Sequence, residues 1–552
     1  MTGLGLTLLV ALVAALLLGA VAHRLRLPPM IGYVAAGLVV GPFTPGFVAD
    51  REEVLALADI GVALLMFSIG LRFSLSELAS VGRLVLVAAP IQAALSIAAV
   101  VAIGPGLGWS LIESLFIGSA VAVSSTAVLV GIAGETALHA TPHGRLAIGI
   151  SIVQDLLTVI AVVLLTALGG EGTAAEILSS TALALGFVLA ALLLGSRILP
   201  RVLAQVAHLG SRELFVIAVA VIAIGTAFVA NAVGVSVALG AFVAGLALAD
   251  SDLTASALGA VAPLRELFAT FFFVSIGILL QPAAVVAGWP VVLALLLLIT
   301  IGKALPVSAT AWLSGRRPSV AVRAGGLVAQ SGEFSFVLAS AGLALGAVHQ
   351  ETFSLAMGAV VLSILVAAPL AAGADRLGTW LDTLPRLQPA LPGDPEPAAG
   401  LRRHAVILGY GRVGRSVARV LESRGFGCVA IDGDYALVRD ARVAGHRIIF
   451  GEAGSPSILD EARISEAHTL VVAVPDALAS RQAVEYALAR NPHIEIVARA
   501  HSEPEEADLR RLGVARVVVA ERELGNELVR HALRRFGVSD REIAAMLHRR
   551  RE

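Results

Sequence analysis

The sequence runs to 552 residues, 57% hydrophobic and only 15% charged, with a mean hydropathy of +0.87 and a formal net charge of −1. Soluble domains carry roughly 25% charged residues, so this composition excludes an ordinary soluble protein, and the balanced charge gives no reason to expect a nucleic-acid partner. The single cysteine, Cys428, excludes intrachain disulfides and a cysteine-based metal site, and its apolar setting (CVAID) reads as a small buried residue.

The apolar residues concentrate in the first 378 positions, which we read as a transmembrane domain (1–378). A proline-rich linker (379–402), a nucleotide-binding domain (403–521) and a helical tail (522–552) follow, the basic end of the tail at 548–551 reading as a solvated helix end. A helix needs roughly 20 apolar residues to cross the hydrocarbon core. Thirteen segments qualify, at 3–22, 28–43, 53–71, 83–103, 111–133, 145–168, 175–196, 212–232, 234–250, 264–281, 289–313, 323–347 and 351–373, the second and ninth being short. With the N-terminus outside, the cytoplasmic loops hold thirteen arginines and the opposite loops only Arg51. That asymmetry places the C-terminal domain in the cytoplasm. His139 and His143 flank one cytoplasmic loop and read as ordinary loop polarity.

Two segments carry polar interruptions at mid-depth: Ser124-Ser125-Thr126 in the fifth and Gln330-Ser331-Gly332-Glu333 in the twelfth. Backbone unwinds inside a membrane only where it lines a cavity or meets other protein, and paired broken helices point to a transport site. The two are seven segments apart and therefore cross in opposite directions, so segments four to six correspond to eleven to thirteen as an inverted repeat. Asp155 lies in the sixth segment, after one break; Lys303, the only lysine in the chain, lies in the eleventh, before the other. An isolated charge at that depth is costly, so both should converge on the crossing, with Lys303 partnering Asp155. Asp155 is the residue expected to hold the ion, with oxygen ligands from Ser124, Ser125 and Thr126 and with Gln154 beside it; Glu333 is expected to support the site rather than bind the ion. Lys303 is either a fixed counter-charge or a second titrating group.

In the C-terminal domain, apolar runs at 404–408, 428–432, 447–450, 469–474, 494–498 and 516–520 alternate with helical stretches and predict a parallel, doubly wound sheet. Gly409-Tyr410-Gly411-Arg412-Val413-Gly414 follows the first strand directly, and Asp432 ends the second strand 23 residues after Gly409. This context makes the glycine motif a phosphate-binding loop, with Asp432, shared by Asp434, on the ribose. Neither a second substrate domain nor an acid/base cluster accompanies it, so a redox enzyme is not expected. Any nucleotide (AMP, ATP or NAD(H)) is a regulatory or structural ligand, with no catalytic cofactor and no metal beyond the transported cation.

SIVQDLLTVI around Asp155, FFFVSIGILL in the tenth segment, Lys303 and QSGEFSFVL around Glu333 resemble the CPA2 branch of the monovalent cation/proton antiporters. Within it the sequence is most similar to the Kef-type potassium efflux proteins and their YbaL-like relatives. The C-terminal segment resembles an RCK domain, whose phosphate-side turn is matched by GEAG and so includes Glu452 and Ala453. The resemblance implies a polytopic α-helical membrane domain with an antiporter-like inverted repeat and two broken crossing helices, joined to a cytoplasmic Rossmann-like α/β domain. It also implies a homodimer in membrane lipid that exchanges K+ or Na+ for protons in a cell (inner) membrane. Electrogenic members carry two adjacent acids where this chain has Gln154-Asp155, which favours electroneutral exchange. A nucleotide-gated potassium channel is the alternative; it calls for a filter such as TVGYG, which the sequence lacks.

Overall fold

A computed structural model describes residues 3–25, 27–44, 50–72, 82–134, 138, 141–168, 174–382, 384, 397–500 and 503–549. His139, most of the linker after residue 384 and the last three residues of the tail lie outside the described residues. The chain divides into two compact units, one built from the apolar helices and one from the C-terminal sequence.

In chain order the first unit contains α1 (Gly3–Arg24), α2 (Pro29–Val40), α3 (Arg51–Arg72), α4 (Arg83–Ile103), α5 (Leu111–Ala122), α6 (Thr126–Ala133), α7 (Pro142–Leu168), α8 (Ala174–His208) and α9 (Arg212–Ala232). Then come α10 (Val237–Leu248), α11 (Thr254–Leu279), α12 (Pro282–Ala287), α13 (Trp289–Leu297), a π-helical turn at Leu298–Gly302, α14 (Lys303–Leu313), α15 (Pro318–Val328), α16 (Glu333–Ala344), α17 (Gln350–Leu365) and α18 (Ala367–Asp382). Among the described residues, nine helices or helical stretches (α5 and α6 together being one) are long and apolar enough to cross a membrane, or up to eleven if the bent pairs α15/α16 (44°) and α17/α18 (55°) each count once. The two remaining segments of the expected thirteen are α2 and α10, apolar helices of 12 residues each. Large apolar side chains such as Leu16 and Leu17 stay exposed on α1, as lipid-facing side chains do.

The helix boundaries differ from the sequence reading chiefly around proline. The tenth segment was expected to start at 264, yet α11 begins at Thr254 and carries Pro263 inside it. A buried or lipid-facing helix tolerates the single lost N–H bond, so proline is a weaker stop here than in water. Likewise, the eleventh segment is one rod interrupted by the π turn just before Lys303, with Pro306 removing the N–H that would have closed onto Gly302.

Polar groups tie the helix ends together. Ser110 caps α5 by accepting the Glu113 N–H, and the fully buried Glu113 carboxylate accepts the His349 N–H (3.0 Å) at the start of α17. That bond joins the fifth segment to the thirteenth, one from each half of the repeat.

The second unit is a six-stranded parallel sheet of β1 (Ala405–Leu408), β2 (Cys428–Asp432), β3 (Ile448–Phe450), β4 (Thr469–Val472), β5 (Glu495–Ala500) and β6 (Arg516–Val519), in the order β3-β2-β1-β4-β5-β6. Helix α19 (Arg412–Ser423) follows β1. All six strands were expected, with ends differing by one or two residues. Strands β1 and β2 are buried on both faces, which is why they read as unbroken apolar runs rather than alternating ones. Burial and the neighbouring Glu422 carboxylate push the Cys428 thiol up to about 11, so this cysteine is an inert packing residue.

Candidate functional site

The membrane site is built where two interrupted helices cross. Helix α5 ends at Ala122 and α6 restarts at Thr126; α15 ends at Val328 and α16 restarts at Glu333. Each break frees main-chain N–H and C=O groups that a continuous helix would have paired. In a membrane they have to be met by protein.

They are met by side chains from the flanking segments. The Gln330 amide spans the crossing, its Oε1 accepting the Ser125 N–H (3.1 Å) and its Nε2 donating to the Ser125 carbonyl (3.0 Å). The Ser124 hydroxyl donates to the Val328 carbonyl (2.7 Å), and the Ser124 N–H donates to Gln154 Oε1 (3.0 Å). The Ser331 N–H donates to Ser363 Oγ on α17 (3.1 Å). The two backbones touch: a Cβ on Gly332 would lie 3.0 Å from Ser125 Cα, so only glycine fits this crossing without displacing it.

Lys303 is fully buried, and its Nζ donates to the Val123 carbonyl (2.8 Å), the Ser124 hydroxyl (3.2 Å) and the Gln330 carbonyl. The two carbonyls belong to the C-terminal ends of α5 and α15, where the half-helix dipoles present negative charge. Among the described residues no ion pair joins Lys303 to Asp155. The expected pairing is therefore replaced by a different arrangement: the three donors of an ammonium are used by the crossing itself. Sequence spacing brought the lysine to the crossing, but which groups it faces depends on the π turn, which periodicity does not reveal.

Asp155 instead faces a cavity of about 570 Å³, lined among others by Ser124, Ser125, Thr126, Glu333 and Arg72. Its carboxylate has no hydrogen-bond or ion-pair partner among the described residues. The Thr126 hydroxyl pairs with Ser151 Oγ (2.9 Å), which also donates to the Ser124 carbonyl (3.2 Å). Ser125 Oγ accepts the Val128 N–H and caps α6. Glu333, in the first turn of α16, shares the cavity with Asp155 and has Arg72 and Arg265 as its charged neighbours. Gln154 is buried and does not itself line the cavity, its amide being taken up by Ser124 and Gln92.

Sequence reasoning passed over Gln92, Ser151 and Ser363, and quoted Gln330 only as part of a break. Two of these had a signal: Gln92 is the one amide in an apolar 21-residue helix, and Ser151 precedes Asp155 by four residues, hence shares its face. Ser363 had none.

In the second unit the glycine loop Gly409–Gly414 leaves β1 at the point where the strand order reverses, between β2 and β4. Gly409 has φ +89°, and a Cβ on Gly414 would lie 1.8 Å from the Gly409 carbonyl oxygen, so both positions require glycine. Asp432 closes β2, its carboxylate accepting the Tyr410 N–H (2.6 Å) and the Asp434 N–H (2.8 Å). Arg412 and Val413 open α19, and Glu452 and Ala453 follow β3 on the same edge of the sheet. The residues fit a nucleotide: backbone N–H groups at a helix start for phosphate, and a carboxylate at the end of β2 for ribose.

Residues 9–372 match the family described as sodium/hydrogen exchanger, transmembrane. The chain belongs to that family. Residues 405–520 match the TrkA-N domain. The exchanger is 36% identical to the putative cation/proton antiporter YbaL of Escherichia coli (strain K12), over 95% of this chain and 96% of that protein. It is 28% identical to the putative K(+) efflux antiporter KefB of Alkalimonas amylolytica, over 96% of this chain and 81% of that protein. Among solved structures it is similar to the Shewanella denitrificans Kef C-terminal domain in its AMP-bound form, with 26% identity over 26% of this chain and 88% of that one and a TM-score of 0.24.

Proposed function

We propose that this exchanger is a monovalent cation/proton antiporter of the inner membrane, in which a proton and a cation compete for Asp155. One observation carries the proposal: a carboxylate without a protein partner faces a cavity at the crossing of two broken helices. If the site changes sides only when Asp155 is neutralised by one or the other, exchange follows from competition alone. Ser124, Ser125 and Thr126 would add neutral oxygen ligands around the cation.

The arginine asymmetry supports an outside N-terminus and a cytoplasmic C-terminal domain. The cavity lining includes Arg72, on the side that this orientation makes cytoplasmic. A single acid beside Gln154 supports electroneutral exchange, with Lys303 a fixed charge at the crossing rather than a second titrating group. The names of the relatives favour potassium. The TrkA-N domain supports a nucleotide (AMP, ATP or NAD(H)) as regulatory ligand of a homodimer, and the chain is a transporter rather than an enzyme.

The test is purified protein in proteoliposomes carrying a pH-sensitive dye and an imposed pH gradient. Potassium is expected to collapse the gradient in a saturable way, sodium less effectively, and nucleotide to change the rate. Failure of every monovalent cation to move protons would remove the proposal.

A further inference from the structure

Gln92 on α4 is fully buried and has no direct part in the cavity, yet its side chain is completely used. Its Nε2 donates to the Ala122 carbonyl (3.2 Å) and to Ser96 Oγ (3.0 Å), and its Oε1 accepts from Gln154 Nε2. Gln154 in turn accepts the Ser124 N–H (3.0 Å).

The orientation of both amides follows from the main chain. A backbone N–H only donates, so the end of Gln154 facing Ser124 is oxygen; a carbonyl only accepts, so the end of Gln92 facing Ala122 is nitrogen. The remaining ends, oxygen on Gln92 and NH₂ on Gln154, are then complementary. In an unbroken helix the Ser124 N–H would bond the Ala120 carbonyl, and the Ala122 carbonyl would bond the Thr126 N–H. The two glutamines substitute for those lost bonds. A carboxylate at position 154 would set oxygen against the Gln92 oxygen, while Gln92 cannot turn over without opposing its own oxygen to the Ala122 carbonyl.

We propose that Gln92 is a positioning residue of the ion site, acting through Gln154 to hold the Ser124 break in its binding geometry and requiring an amide beside Asp155. The inference rests on the antiport reading given above. It places the discrimination between one acid and two on a neighbouring helix, outside the site itself.

The experiment compares cation-dependent exchange in proteoliposomes for the wild type, Asp155→Asn, Gln92→Leu, Gln154→Leu and the Gln92→Leu/Gln154→Leu double variant, with thermal denaturation in detergent alongside. Gln92→Leu should raise the apparent cation KM about tenfold with the saturating rate within about threefold, because buried polar groups at the break lose their partner while Asp155 is untouched. If Gln92 acts through Gln154, the double variant should be no more than about twofold worse in KM than Gln154→Leu. Multiplicative effects, or a loss of rate and thermal stability at unchanged KM, would overturn the proposal. Should Gln92→Leu not be recovered folded, Gln92→Met keeps a side chain of similar length, loses the acceptor for Gln154 Nε2 and carries the same expectation. A wild type without exchange refutes the antiport reading; an exchanging wild type, a silent Asp155→Asn and an unaltered Gln92→Leu refute only the positioning role.

Discussion

Asp155→Asn should reduce cation-driven proton movement to the leak of protein-free vesicles while leaving the protein folded. Asparagine has the same shape, and no described residue bonds or ion-pairs with the Asp155 carboxylate, so the substitution removes no internal contact and no helix packing is lost. What it removes is the one group in the cavity proposed to choose between a proton and a cation. Glu333, which shares the cavity and has Arg72 and Arg265 as its charged neighbours, is not expected to take over the role. The check is dye-monitored exchange at saturating potassium together with an unchanged thermal midpoint. Exchange above about one-tenth of wild type would show that another group carries the ion.

Lys303→Ala should have the opposite balance, damaging the fold as well as transport. The substitution withdraws a donor from the Val123 and Gln330 carbonyls and from the Ser124 hydroxyl, all of them buried. Each buried acceptor left unsatisfied costs about 1–3 kcal/mol, so the thermal midpoint in detergent should fall by several degrees. Lys303→Met, which keeps the aliphatic stem, should recover the packing but not the exchange, because the two helix C-termini still face each other without a cation. Wild-type stability and exchange in Lys303→Met would mean that the crossing does not depend on the ammonium.

The broad architecture was legible because membrane physics writes it in one dimension. Apolar length and polar interruptions mark the spans and breaks, and the glycine loop with Asp432 marks the crevice where the strand order reverses. Partners across the crossing were not legible. Asp155 and Lys303 both reach the crossing, yet the lysine serves the carbonyls of Val123 and Gln330, and this depends on the π turn at Leu298–Gly302. Gln154 looked like an ion ligand from its position next to Asp155. Successive helical residues point about 100° apart, so adjacency in sequence put it against Gln92 and Ser124 instead. The start of α11 was hidden by Pro263, a stop signal in water that a membrane helix absorbs.

The central claim is that one carboxylate exchanges a proton for a cation. It is tested most directly by measuring, in weakly buffered detergent solution, the protons released as potassium binds to the purified protein. The account predicts about one proton released per cation bound in the wild type and none in Asp155→Asn. Saturable potassium binding without proton release would contradict it.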